Sequence, residues 1–409
     1  MIYQMIEILD LVARAGGGGS SGGGGGGVGI VVLPLILFSI VASRWVRKKR
    51  IKKARSKQKA ALAKDPTWSE EVIQQTAGNI FYAFQKDWSD FNTDSMKAYL
   101  TPRYHYHTSL MLNALWHMNR RNEMRDVNLK SVTLFDVHDN ADDELDRFTV
   151  EIRASATDNL LDMATGKLLH GTFPAFEELW HFEREGKTWM LDSVTQINRD
   201  SLIVKYDPVI DKKYADFAKA NKFFYNADFG WLLMPLHGIL FSDASYGRSD
   251  LNHHVIGLYH NLIVQFFEYT PLIQKQAQLK DHFRHLYQPR NPMANYTVAH
   301  TTLPKSYGNI LVARHKSSAF FKFSPQGMHK ITLEWPQFNK LFDVYATDMD
   351  RIASLELVHP AFMEQLVGLS FKVSIEVIGT DLYLYSTDKS ADYQQMLDIL
   401  KKAFKEMKL

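Results

Sequence analysis

Tyr104, Tyr106 and Asp192 are of the types that suit acid–base work, a carboxylate base paired with a phenolic donor for a developing oxyanion. They qualify by type only. No spacing among them requires that chemistry, and packing of the two tyrosines on an amphipathic element, with Asp192 closing a strand, accounts for them better. His105 with His107, His253 with His254 and His260, and His282 with His285 invite a metal reading, and the last pair would share a helix face. No acidic residue stands at a recognisable ligand spacing around them, and sixteen histidines form close pairs by chance. The expectation is therefore no metal and no cofactor. The absence of cysteine excludes disulfides, thiolate metal sites and cysteine nucleophiles. Gly16 to Gly27, broken only by Ser20 and Ser21, lacks the lysine and the strand–helix context of a phosphate-binding loop, and reads as a flexible linker. No catalytic residue is expected, and the chain is read as a non-enzyme.

The elements around these residues point to a membrane instead. Residues 28–43 carry no charge and include Ile30, Leu33, Leu35, Leu37, Phe38 and Ile40, with Arg44 and Trp45 closing the run. A spanning helix needs roughly 17–25 residues, so a transmembrane helix over 28–46 is expected, with Arg44 snorkelling and Trp45 at the interface. Ten bases follow without one acid: Arg44, Arg47, Lys48, Lys49, Arg50, Lys52, Lys53, Arg55, Lys57 and Lys59. The formal charge of +3 becomes −7 once those ten are set aside, so the basic balance is local and argues against a nucleic-acid partner. The same asymmetry orients the N-terminus outside and the rest on the cytoplasmic side. Arg44 to Lys53 are the expected contacts with anionic lipid headgroups, and from Lys57 onward a solvated spacer helix is expected. Residues 1–15 form a short amphipathic segment, with Ile2, Ile6, Leu9 and Val12 at helical spacing.

Length and composition, 409 residues with 45% hydrophobic and 12% aromatic content, provide for two ordinary cores beyond the anchor. Thr67 and Glu70 have capping-box spacing, with Pro66 in the first turn of a helix whose Ile73, Ala77, Ile80, Phe81, Phe84 and Trp88 make one buried face. A second helix is expected from Pro102 to His117. The period then changes to two: Phe148, Val150, Ile152, Ala154 and Ala156 alternate with polar residues, as do Glu178, Trp180, Phe182 and Arg184. Glu185-Gly186-Lys187 turns the latter strand back through Thr188 to Val194. Further on, residues 211–224 read as a helix, Val255 to Glu268 as a strand and Pro289 to Pro292 as a loop. Val373 to Tyr385 reads as a hairpin turning at Gly379-Thr380-Asp381, and Tyr393, Met396, Leu397, Leu400 and Phe404 mark a closing helix. The class expected is α+β.

Phe81-Tyr82-Ala83-Phe84-Gln85-Lys86-Asp87-Trp88, Tyr99-Leu100-Thr101-Pro102, Phe148-Thr149-Val150-Glu151 and Glu178-Leu179-Trp180-His181-Phe182-Glu183-Arg184, followed by Trp189 and Leu191, resemble the C-terminal domain of the mitochondrial translocase subunit Tim forty-four. The resemblance covers roughly residues 66–197. It implies a cone-shaped fold similar to nuclear transport factor two, whose apolar cavity Phe84, Trp88, Trp180, Phe182 and Trp189 would line, and a membrane-associated adaptor that touches lipid and protein. The phrases Phe338-Asn339-Lys340-Leu341-Phe342-Asp343-Val344-Tyr345 and Pro360-Ala361-Phe362-Met363-Glu364-Gln365-Leu366 resemble a bacterial domain family of unknown function, which implies α+β structure and no chemistry.

The domain order expected is 1–15 amphipathic, 16–27 linker, 28–46 transmembrane, 47–65 polybasic helix, 66–200 Tim-forty-four-like and 201–409 C-terminal α+β. The function expected is a membrane-tethered adaptor or scaffold on the cytoplasmic face of a bacterial inner membrane, binding phospholipid and a membrane or cytoplasmic protein partner. The alternative is a pocket protein for a small molecule or lipid, with or without catalysis.

Overall fold

The computed structural model describes residues 28–172, 175–196, 211–226, 232–238, 240–241, 249–271, 295–315, 327–348, 358–388 and 390–406. Residues 1–27, the histidines at 282 and 285 and the loop from Pro289 to Pro292 lie outside that set. Contacts divide the chain into two units, residues 1–49 with 198–206 and residues 50–197 with 207–409.

One helix, α1, runs from Val28 to Leu62. Its described side chains are Val41 and those from Arg44 onward, so Ile30, Leu33, Leu35, Leu37, Phe38 and Ile40 of the expected span fall outside them. Among the described residues no helix is long and apolar enough to cross a membrane. The second half of α1 is docked, which corrects the solvated spacer. Ala54, Gln58 and Ala61 are buried at helical spacing, Gln58 Nε2 donates to Trp68 O (2.6 Å), and Lys57 Nζ reaches Val137 O (2.7 Å) and Asp136 (3.2 Å). Two of the three are alanines, which let the helix backbone approach closely, and the third, Gln58, is satisfied by its hydrogen bond.

A 3-10 turn, Pro66–Trp68, leads into α2, Glu70–Ser89. Two caps, neither of them Thr67, start these elements: Asp65 Oδ1 accepts from Thr67 N and Ser69 Oγ accepts from Val72 N. Each supplies an oxygen to a backbone N–H that the first turn leaves without a partner. Then come α3, Thr93–Met96, and α4, Pro102–His117, capped by Thr101 and begun by Pro102 as expected.

The first sheet has five strands: β1 Arg120–His138, β2 Arg147–Asp162, β3 Leu168–Thr172, β4 Ala175–Glu185 and β5 Thr188–Gln196, in the order β1-β2-β4-β5 with β3 beside the end of β2. All named pairs are antiparallel, and Glu185 pairs with Thr188 across a two-residue turn whose Gly186 has φ +60°. That turn needs a positive φ at its first residue, which glycine adopts without strain. β1 is the strand the sequence hides. Its pairing slips at 125/128, 129/131 and 134/136, and Asp126 has φ +51°. Each slip inverts which residues face the core and erases the period of two. The outer edge of β1 is partly occupied: Ser89 Oγ accepts from Met124 N, and the Tyr82 hydroxyl from Leu129 N.

α5, Lys212–Ala220, precedes a nine-stranded antiparallel sheet: β6 Phe224–Asn226, β7 Ser249–Tyr259, β8 Leu262–Pro271, β9 Tyr296–Thr302, β10 Asn309–Arg314, β11 His329–Ile331, β12 Phe342–Ala346, β13 Ser374–Ile378 and β14 Asp381–Ser386. The order is β11-β12-β10-β13-β14-β9-β8-β7-β6. Val255 to Glu268 is a hairpin, not one strand, because His260 (φ +48°) and Asn261 (φ +65°) make a two-residue turn that closes on Tyr259 and Leu262. Three further helices are α6 Pro336–Asn339, α7 Pro360–Gly368 and α8 Tyr393–Glu406. Side chains of α5, α7 and α8 (Tyr214, Phe362, Leu366, Met396, Leu400, Phe404) cover Val264, Phe266, Ala299, Leu384 and Ile375 on one sheet face as a single apolar core.

Candidate functional site

The five side chains expected to line a cavity fall into two groups. Phe84, Trp88 and Trp180 belong to one: the Phe84 ring lies between Tyr104 (6.2 Å) and Trp88 (5.9 Å), with Trp180 edge-on at 5.7 Å. Phe182 and Trp189 belong to another, around Phe148 at 4.6 and 4.8 Å, where Trp189 also meets Trp68. Trp180, Phe182 and Trp189 are core residues with no solvent face. Phe84 and Trp88 are half-buried, and Trp88 leads to polar groups: its Nε1 donates to Asn122 Oδ1 (2.8 Å), whose amide donates to Asp158 (2.5 Å). Burial raises the Asp158 carboxyl above its ordinary range.

The residues read as an acid–base set are separated by their partners. Tyr104 is buried, and burial first, then the charges of Glu178 and Asp192, push its hydroxyl upward. Tyr106 is exposed and meets Phe224 edge-on. Asp192 does not end its strand; it sits within β5 and accepts from Thr101 Oγ1 (2.8 Å) and Arg103 (2.5 Å). Arg103 is exposed, whereas a buried cation, Arg184, joins Asp65 (2.5 Å), Asp146 (3.2 Å) and Asp143 (3.4 Å), tying the start of the 3-10 turn to the sheet.

The histidine pairs split in the same way. His105 Nε2 meets Thr93 O (2.9 Å), while His107 stacks flat on Phe224 at 4.5 Å. A register shift at His253 (φ +55°) sends that ring onto Tyr214 and Tyr225 and leaves His254 to the opposite face. His260 stacks on Tyr259 in its turn. Among the described residues no three His, Asp or Glu side chains are grouped to hold a metal.

His254 begins an arrangement that reading along the chain gives no means to see. Asn226, His254, Gln265, His300 and Asp381 stand on β6, β7, β8, β9 and β14, adjacent strands in the sheet, and their side chains meet in sequence at 3.1, 3.0, 3.2 and 3.0 Å. Assigning the Nε2–H tautomer to both rings lets every step donate in one direction, ending on the Asp381 carboxylate. Burial of Asp381 works against its charge, but the hydrogen bond and electrostatic attraction of His300, with smaller contributions from His237 and Thr302, together outweigh it and hold the carboxyl below its usual range. At the other end Asn226 Nδ2 meets Met111 Sδ of α4 at 3.4 Å. Nearby, the buried Arg120 donates to Leu232 O (3.2 Å) and Met234 O (2.6 Å), and Leu232, Leu233 and Ile256 share the core of the five-stranded sheet.

The basic helix divides by face. Arg50 lies over the Phe135 ring, Lys57 binds Asp136, Arg55 faces Glu70 (3.9 Å), and Lys64 binds Asp139 (2.7 Å). Arg44, Lys48, Lys49, Lys52, Lys53 and Lys59 are exposed, with Lys49 over Trp45, whereas Arg47 is half-buried.

Residues 55–196 match the family model described as Tim44-like domain, and residues 297–407 the one described as protein of unknown function, DUF3137. No curated protein matches the chain. Two solved structures align with parts of it. The intermembrane space region of the chloroplast protein ARC6 is 15% identical over 30% of this chain and 95% of that one, with a TM-score of 0.25. The mycobacterial trehalose monomycolate transport factor A, TtfA, is 12% identical over 48% of this chain and 90% of that one, with a TM-score of 0.30. Scores so low bear on neither fold nor function. The chain thus contains a Tim44-like domain at residues 55–196 followed by a DUF3137 domain at residues 297–407.

Proposed function

We propose that this chain is a membrane-tethered, non-enzymatic adaptor: residues 28–46 span a bilayer, and the Tim44-like and DUF3137 domains hold a protein partner at its cytoplasmic surface. The observation that carries this reading is α1, one unbroken helix whose first half has the sequence of a span and whose second half is packed into the Tim44-like domain through Ala54, Gln58 and Ala61. Docking from Ala54 onward means that the folded domain begins within a few residues of the expected span. Val41 (64%) and Trp45 (62%) are exposed on α1, apolar side chains of the kinds that a bilayer and its interface would cover. Anionic headgroups would meet Lys48, Lys49, Lys52 and Lys53 together with Arg44 and Arg47, whereas Arg50 is engaged over Phe135. The charge order supports an orientation with the N-terminus outside and the folded domains on the cytoplasmic side, and the membrane on this reading is a bacterial inner membrane.

Affinity capture from detergent-solubilised native membranes tests the adaptor, comparing the intact chain with one lacking residues 1–46, a cut that spares the docked half of α1. A stoichiometric membrane complex held by the intact chain is the expected result. The stack of half-buried Trp88 and Phe84 on the buried Tyr104, beside Asn122 and Asp158, favours one competing reading, a cone cavity that takes a small amphiphile. A single small molecule retained by both versions, with no protein, would establish that reading instead.

A further inference from the structure

The Tim44-like domain meets the nine-stranded sheet along α4 and the start of β1, and the contact is built on two imidazoles. His107 stacks on Phe224 of β6, and its Nε2 is buried without a hydrogen-bond partner. His254 of β7 is held between the Asn226 amide and the Gln265 carbonyl oxygen. The Asn226 amide, which also meets Met111 Sδ, lies between the two histidines and can serve only two acceptors with its two N–H groups.

The charged and titratable groups facing this pair offer no stabilisation for a proton. Arg103 and Tyr104 face His107 from α4, and His254 faces it from β7. His254 in turn faces His300 of β9, whose other nitrogen is taken by Asp381, the only carboxylate in the ladder and two side chains away from His254. From β1, Arg120 adds a fixed positive charge on the same side of the sheet, and Tyr383 with the Tyr385–Glu376 pair completes the row beyond His300.

We propose that this contact is a charge-sensitive latch, closed while His107 and His254 are neutral and opened by a proton on either ring. A proton on His107 would be a buried charge against a phenyl face, opposed by His254 and Arg103, with only the neutral Asn226 side chain in its favour. One on His254 would require the Asn226 amide, a donor, to turn away from Nδ1 and break the ladder. Burial, with the neighbouring histidine adding to it, lowers His107 to about 3; burial lowers His254 to about 4, the Gln265 hydrogen bond opposing. Both regain about 6.5 once the contact opens. Since the closed state binds protons more weakly, closure is favoured at neutral pH and lost as pH falls through 6.5 toward 4.

Hydrogen–deuterium exchange of the full chain in detergent, corrected for the intrinsic pH dependence of exchange, reads the latch directly. Each histidine should multiply the opening constant by about 4 between pH 7.5 and 6.0, giving about 14-fold for the pair, at Phe224–Asn226 and Arg120–Asn122. Amides pairing β2 with β4 and β13 with β14 should keep their protection. His107→Phe, which retains the stack on Phe224, should reduce the dependence to about 4-fold, and His107→Phe with His254→Gln should abolish it whatever the latch's absolute strength. An unchanged wild-type profile, equal loss at the reference amides, or a pH dependence undiminished in His107→Phe would overturn the proposal, and the first two need no variant to fold.

Discussion

The interior of the five-stranded sheet and the inner face of the nine-stranded sheet are both closed to water, yet they are built in opposite ways. Trp180, Phe182, Trp189, Phe148 and Phe81 fill the first with stacked and edge-on rings. The second runs Gln265, His300, Tyr383 and Glu376 side by side across four strands, with Ile256 at one end; these polar groups are stable there through hydrogen bonds within the row and to its neighbours His254, Asp381 and Tyr385. An aromatic interior draws its stability from buried area and shape. A polar ladder adds little net stability but penalises every misalignment, because a buried donor or acceptor without its partner costs more than the bond contributes. The first region therefore sets how stable the chain is, and the second sets which strands lie together.

The largest test of that contrast is Trp180→Ala, which should cost about 3–5 kcal/mol and lower the denaturation midpoint of the whole chain. Retained stability with lost partner binding would show that Trp180 is a contact residue, not core. Arg184→Met should cost on the order of 3 kcal/mol, since it strands Asp65 and the buried Asp146 without their cation; a neutral result would mean that solvent already satisfies these carboxylates. Gln265→Leu leaves His254 Nε2 and His300 Nδ1 without partners and should cost roughly 2–3 kcal/mol, more than the apolar truncation Val264→Ala next to it. The reverse order would remove the distinction between the two faces. At the small end, Lys57→Ala should cost about 0.5–1 kcal/mol through its partly buried bonds, and Lys59→Ala nothing measurable by urea denaturation.

What could be read in advance follows the same division. α2, α4 and α8, the β4–β5 turn and the β13–β14 hairpin each carry an uninterrupted period and a proper turn or cap, so local pattern and tertiary packing agree. β1 failed because its slips invert the pattern and its first residues are charged. The β7–β8 turn failed because His260 and Asn261 stand where glycine usually marks such a turn. The ladder was illegible for a deeper reason. Asn226, His254, Gln265, His300 and Asp381 span 155 positions, and single polar residues in strands carry no signal until the strand order is known. The resemblance assigned five aromatic residues to one cavity lining, but it did not separate Phe84 and Trp88, which keep a solvent face, from Trp180, Phe182 and Trp189, which have none.

The anchor is the claim on which the adaptor rests, and alkaline carbonate extraction of membranes from cells producing the intact chain, beside a Leu37→Arg variant, tests it most directly. Arginine at the centre of a span costs about 2.5–3.5 kcal/mol of insertion free energy, so the intact chain should remain in the membrane pellet and the variant should move substantially to the supernatant. Release of the intact chain by carbonate would contradict a spanning helix and leave a peripheral protein held by its lysines.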